Sequence, residues 1–159
     1  MQGRRAQESE LDPRWACLYE EARGDLYRVA AYLLGDAEGE EVVQDAFIKA
    51  MHDARFFEDI REPRAWLRTT LVRLAVSRLR RRALWDRVRL LVRPSDPPER
   101  DPDLRSAIAK LPPNQRGAIV LRYYFGADTR EIARSLALAE SSVPTLLTRA
   151  RAALAKELG

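Results

Sequence analysis

The apolar positions of this chain recur at helical spacing almost from end to end. Leu18, Ala22, Leu26, Val29, Ala30 and Leu33 follow one another largely at intervals of three and four, the signature of one buried helix face. Gly35-Asp36 interrupts that pattern. A second helix is predicted from Glu38 to about Ala54, with Val42, Val43, Ala46, Phe47, Ala50 and Met51 turned inward. Its acidic first turn suits the positive end of a helix dipole. Residues 55–62 read as a loop. Pro63 then fits the first turn of a long helix, where its missing N–H costs nothing. That helix, 63–83, would be roughly 30 Å long.

The pattern changes at residue 84. Pro94, Pro97, Pro98 and Pro102 crowd together with Asp96, Glu99, Asp101 and Asp103, the composition of an acidic linker. Beyond it come short helices. Leu104 to Leu111 is one, and Pro112-Pro113 opens another that runs to about Phe125. Asp128-Thr129-Arg130-Glu131 is a capping box ahead of a short helix, Thr129 to Leu136. After a turn, Ser141 is expected to cap a last helix ending near Leu158. A short helix, a turn and a longer helix make the helix-turn-helix shape. The expected fold is all-α: two small helical domains, 12–85 and 104–158, joined by a Pro-rich acidic linker, 86–103.

Charge sharpens this division. Residues 1–60 hold 7 Lys/Arg against 14 Asp/Glu, whereas residues 61–93 hold 11 against 2. A block so basic faces something anionic, and nucleic acid leads the candidates. The acidic first third would repel DNA and suits a protein partner. No uninterrupted apolar run exceeds six residues, so no membrane insertion is expected, and no secretory signal is read at the N-terminus. One cysteine, Cys17, and one histidine, His52, leave no intrachain disulfide and no His-based triad or paired-His zinc site. Cys17 is expected in the core and His52 on the surface. No phosphate-loop, dinucleotide-binding or EF-hand pattern occurs, so neither a catalytic site nor a metal or other cofactor is expected. The default setting is the cytoplasm.

Four groups of side chains remain as candidate sites. On the last helix, Ser142, Thr145, Thr148, Arg149 and Ala152 share the face opposite the apolar one, and their short or basic side chains suit a major groove. On the helix 63–83, Thr69, Arg73, Ser77 and Arg80 form one stripe flanked by Arg64, Arg68, Arg81 and Arg82, spaced to follow phosphates. Phe56 and Phe57 lie beside it, either as core residues or as rings on which unpaired bases stack. Glu40, Glu41, Gln44 and Asp45 line the outer face of the second helix, as a solvated face or a protein-docking one.

Taken in order, these features resemble the sigma-70 family of RNA polymerase sigma factors, in its extracytoplasmic-function group. The motifs are Gly39-Glu40-Glu41-Val42-Val43-Gln44 before Asp45-Ala46-Phe47, Pro63-Arg64-Ala65-Trp66-Leu67, and Arg78-Leu79-Arg80-Arg81-Arg82. In the second half they are Leu111-Pro112-Pro113-Asn114-Gln115-Arg116, Glu131-Ile132-Ala133 and Arg149-Ala150-Arg151. The resemblance implies a region 2-like helical bundle and a region 4-like helix-turn-helix. It implies core RNA polymerase as partner, through Glu40, Glu41, Gln44 and Asp45. It implies −10 promoter DNA, opened and read by Phe56, Phe57, Arg64, Arg68, Thr69, Arg73, Ser77, Arg80 and Arg81. Duplex −35 DNA would meet Arg130, Ser141, Ser142, Thr145, Thr148 and Arg149, and an anti-sigma factor is a further expected partner. The chain departs from the family pattern at Arg73, where Asn is usual, and at Ser77, where Asp is frequent. It also departs at Pro144 and Leu146, where basic residues are usual, and at Ala137, where a turn Gly is common. Those departures keep two alternatives in view: a helix-turn-helix regulator that works without polymerase, and a degenerate sigma-like protein.

Overall fold

The computed structural model describes residues 11–90 and 104–159. Among these residues there are eight α-helices, one 3-10 turn and no strand. Helix α1 spans Pro13–Leu34. It starts five residues before the periodic stretch because Asp12-Pro13 is a start signal: the Asp12 carboxylate accepts from the Arg14 N–H at 3.0 Å, and Pro13 fills the first position. The Arg14 guanidinium then bonds the same carboxylate at 2.6 Å and holds it below the usual carboxyl range. Gly35, at φ +89°, turns the chain sharply into α2, Asp36–Met51. Gly39 lets α2 lie directly on α1, since a Cβ there would stand 2.9 Å from the Ala31 backbone nitrogen.

Between α2 and the long helix, Phe56–Asp59 forms one helical turn, α3, in place of the expected loop. Helix α4 runs Pro63–Leu90, seven residues past the predicted end. Residues 86–90, expected to open the linker, are therefore helical, and the rest of the expected linker, 91–103, lies outside the described residues. In the second half, α5 is Leu104–Ala109, α6 is Pro113–Tyr123, α7 is Thr129–Leu136 and α8 is Val143–Leu158. The capping box is present, with Glu131 N–H on the Asp128 carboxylate at 2.8 Å and Asp128 N–H on Glu131 at 3.0 Å. Ala137 closes α7 in the left-handed region, φ +54°, the conformation that favours a glycine there. Ser141 does not cap α8: residues Glu140–Ser142 form the 3-10 turn, and Ser142 occupies the cap position without a side-chain bond. Pro144 sits in the first turn of α8, where it displaces no helical hydrogen bond.

Two other expectations are corrected. Met51 is 43% exposed, because α2 ends there with nothing packed over it. Cys17 is exposed on α1, its thiol donating to Glu21 at 3.4 Å and pushed up by that carboxylate. The two helical halves also pack on each other and share one apolar core. Helix α4 packs on α1 and α2 along one side and on α6 and α7 along the other, with Leu71, Val72 and Ala75 fully buried. Gly117 of α6 makes the close approach possible: a Cβ there would lie 2.8 Å from Val76 Cγ2 of α4 and 2.9 Å from Leu136 Cδ2 of α7. Arg116 fastens the same junction by donating to the carbonyls of Leu33 at 2.9 Å and Leu111 at 3.1 Å. Its burial, reinforced by the nearby charge of Arg82, lowers its basicity.

Candidate nucleic-acid interface

Helix α4 is the longest element, and its register decides what each arginine can reach. A helix repeats every 3.6 residues, so Arg73, Ser77 and Arg80 emerge on one side and Arg78 and Arg82 on another. Arg78 is the best-anchored of the set. Its guanidinium lies 2.5 Å from Asp45, 3.3 Å from Glu41 and 4.0 Å from Glu38 of α2, and its side chain is only 19% exposed. Arg82 also pairs with Glu38. Burial works against the Arg78 charge, but the hydrogen bonds and charges of Glu41 and Asp45 outweigh it, so the group is held above its ordinary basicity.

Glu41 and Asp45, predicted to face a protein partner, also pair with Arg78 of α4 within the molecule. Glu40 and Gln44, one turn apart and exposed, line a shallow cleft of about 380 Å³ with Tyr19, Arg23 and Tyr27 of α1. Glu41 is exposed beside them, and Asp45 is half-buried. The sequence carries a signal for Arg78: acidic residues at 38, 41 and 45, spaced i, i+3, i+7, ask for a cation on the facing helix.

The predicted stripe is placed on one side of α4, with Arg73, Ser77 and Arg80 exposed and Thr69 half-buried. Its arginines reach across to the second half. Arg73 Nη2 donates to the Arg134 carbonyl at 2.8 Å, and Arg80 Nη2 donates to Asn114 Oδ1 at 2.5 Å and to the Leu136 carbonyl at 3.4 Å. Arg68 lies over the Phe125 ring, 5.3 Å from its centroid. Arg64 turns to α1, donating to the Glu21 carbonyl at 3.3 Å and standing 3.7 Å from Asp25, while Arg81 is exposed.

The two phenylalanines separate. Phe56 is 1% exposed and is a core residue rather than a base-stacking one: its ring centroid lies 5.1 Å from those of Trp15 and Trp66. A ring so enclosed has no free face for a base. Phe57 is half-buried, with the Arg14 guanidinium 4.5 Å from its centroid.

On α8, Thr145, Thr148, Arg149 and Ala152 are exposed together, with Ser141 and Ser142 exposed just before them. Thr148 donates to the Pro144 carbonyl at 2.9 Å, and Leu146 is half-buried rather than outward. Arg130 of α7 stands 3.3 Å from Glu140, which offsets part of the charge at the start of this surface. Among the described residues no group of three His, Cys, Asp or Glu could hold a metal ion, and no helix is long and apolar enough to cross a membrane.

The arrangement is matched by known proteins across nearly its whole length. The family described as sigma-70 region 2 matches residues 18–84, and sigma-70, region 4 matches residues 102–154. The ECF RNA polymerase sigma factor SigL of Mycobacterium tuberculosis is 31% identical over 149 residues, covering 86% of this chain and 84% of the relative. The RNA polymerase sigma factor SigV of Bacillus subtilis is 30% identical over 135 residues, covering 79% and 80%. Among solved structures, the sigma factor RpoE of Bartonella quintana, in complex with the anti-sigma factor NepR, shares the fold. Its TM-score is 0.69 at 22% identity, over 92% of this chain and 98% of that one. CnrH, solved in complex with the cytosolic domain of CnrY, has a TM-score of 0.63 at 26% identity, over 94% and 90%. The chain belongs to the sigma-70 family, in its extracytoplasmic-function group of RNA polymerase sigma factors.

Proposed function

We infer that this chain is a promoter-specificity subunit: it binds core RNA polymerase and directs it to promoters, where DNA is opened and transcription starts. The observation that carries this reading is the order of matched regions, region 2 on the basic helix α4 and region 4 on the α7–α8 helix-turn-helix. The chain works in the cytoplasm, where the polymerase is, and does no catalysis of its own. Two small basic surfaces bind DNA weakly by themselves. A large scaffold that fixes their spacing makes the second contact intramolecular and so raises its effective concentration.

Residue roles follow the geometry. Glu40 and Gln44, with Tyr19 and Arg23 beside them, offer the polymerase an outward surface. Arg73 and Arg80 serve the −10 strand, and Thr145, Thr148 and Arg149 serve the −35 duplex. An anti-sigma factor is a fitting regulator, as RpoE was solved with NepR bound. A second reading, a sigma-like protein that binds polymerase but starts no transcription, draws on the −35 surface. There Arg149 is the one basic side chain among exposed Pro144, Thr145, Thr148 and Ala152.

The test is a titration of labelled duplex promoter DNA with the chain, with and without core polymerase. Weak, salt-sensitive binding by the chain alone and specific binding with polymerase are expected. Specific nanomolar binding by the isolated chain at physiological salt would favour a regulator independent of polymerase.

A further inference from the structure

A cavity of about 510 Å³ lies between the C-terminal end of α1, the later turns of α4, α5 and the start of α6. Its lining carries three arginines, Arg82, Arg105 and Arg116, against one carboxylate, Asp86. The arginines come from three different helices, so no local sequence pattern joins them. Two of them have anionic partners. Arg82 pairs with Glu38, and Arg105 stands 2.8 Å from Asp36.

Arg116 differs. It is half-buried, and its Nη atoms donate only to neutral oxygens, the carbonyls of Leu33, Ala109 and Leu111. Its Nε is buried and, among the described residues, has no hydrogen-bond partner. A guanidinium taken out of water is costly unless an anion stands beside it. Here no carboxylate acts on its charge; burial and then the like charge of Arg82 bear on it, and both lower its basicity. The cavity wall thus holds a cation without its counterion.

The backbone around the cavity has the same polarity. The C-terminal carbonyls that would repel an anion are taken up, Ala31 by Arg105 at 3.3 Å and Leu33 and Ala109 by Arg116. Helices α2 and α6 both start here: Gly35, Pro112 and Pro113 line the cavity, and neither start is capped by a side chain. The first amides of a helix carry the positive end of its dipole and favour an anion.

We propose that this cavity binds a diphosphate group, free or carried by a nucleotide, with Arg116 holding the anion at the wall and Arg82 and Arg105 closing on it from α4 and α5. A diphosphate offers terminal oxygens on two phosphorus atoms to three guanidinium groups, whereas a carboxylate offers a single pair. Phosphate oxygens and guanidinium forks match in geometry as well as in charge. The volume lies within the range of small-molecule sites. The site uses none of the residues assigned above to polymerase or promoter DNA.

The experiment is calorimetric titration of the full chain, at low salt and without divalent metal, with pyrophosphate, ADP, inorganic phosphate and citrate. Pyrophosphate should bind once per chain and about tenfold more tightly than inorganic phosphate, as for one further charge-assisted bond. ADP equal to pyrophosphate would assign the site to the diphosphate alone, and tighter ADP would add the nucleoside. Arg82→Gln and Arg105→Gln should each weaken pyrophosphate about tenfold. Asp86→Asn, which removes the one carboxylate of the lining, should tighten it about threefold. Arg61→Gln, exposed ahead of α4, should leave it unchanged. Arg116→Gln should abolish binding. Because Arg116 also fastens the junction, circular dichroism checks that this variant folds, and the Arg82, Arg105 and Asp86 variants carry the test if it does not. Pyrophosphate should also raise the Tm of the wild-type chain, and do so less for Arg105→Gln. No pyrophosphate binding beyond that of chloride would overturn the proposal. So would several weak sites per chain that ignore the Arg82 and Arg105 changes. Citrate binding as tight as pyrophosphate would overturn the assignment to phosphate.

Discussion

Helix α4 carries two basic sides that look alike in the sequence and differ in what they meet. Arg78 and Arg82 turn to α2 and pair with carboxylates of the same half, and the Arg78 side chain is mostly enclosed. Arg73 and Arg80 turn to α6 and α7 and donate to neutral oxygens of the other half from exposed positions. The first side is internal architecture, since a paired guanidinium near three carboxylates has no reason to leave them. The second is a set of donors to neutral carbonyl and amide oxygens. Of the five arginines between residues 73 and 82, four therefore fall into two groups with different surroundings, and Arg81 is exposed outside both. What assigns the task is the element that each side packs on.

The largest expected effect comes from the aromatic cluster under the start of α4. Phe56→Ala empties a ring site between Trp15 and Trp66 and should cost about 3–5 kcal/mol in urea unfolding. Polymerase and DNA binding should then fall together. Next, Arg78→Ala and Arg80→Ala should behave differently although both delete a guanidinium. Arg78→Ala should cost about 1–2 kcal/mol, less than a fully buried pair because its carboxylate partners are substantially exposed. Arg80→Ala should change stability by no more than about 0.5 kcal/mol, as at other exposed positions. In open complexes it should instead lower the logarithmic salt slope by about 0.7, one phosphate contact to single-stranded DNA. Equal losses of stability would erase the distinction between the two sides.

A smaller effect is expected at Ala137. Its left-handed backbone costs an L residue about 1 kcal/mol or more, so Ala137→Gly should raise stability by about 0.5–1 kcal/mol once the added freedom of the unfolded chain is counted. Smallest in stability is Arg149→Ala, on exposed α8. It should leave unfolding unchanged within about 0.5 kcal/mol while lowering the salt slope for duplex −35 DNA by about 0.9.

Much of this architecture was legible in the residues because it is local. The spacing of Leu18 to Leu33 gave α1, the Asp128–Glu131 box gave the start of α7, and Gly35 gave the break before α2. The misses share one physical cause. Periodicity says which face of a helix is buried and not what buries it. Val72 and Val76 serve the junction with α6 and α7, and nothing near them in sequence announces Gly117, some forty residues away. The same gap hid the roles of Glu41 and Asp45, whose partner Arg78 lies on another helix. Phe56 was open between core and base contact because a loop flank fixes neither, and only the surrounding Trp15 and Trp66 decide it. At the sites, the stripe and the α8 face were found as groups. Which arginine of α4 pairs with carboxylates of α2 and which donates to oxygens of the second half required the third dimension.

The central claim is that the chain gives RNA polymerase its choice of promoter. The most direct measurement is run-off transcription by core polymerase with this chain on a library of randomised −10 and −35 elements, with the 5′ ends of the transcripts sequenced. Transcripts should start at one spacing downstream of an enriched pair of elements, and Arg73→Ala should change the enriched −10 bases rather than scale all promoters alike. A polymerase that binds the chain yet gives no start sites above those of core enzyme alone would contradict the account.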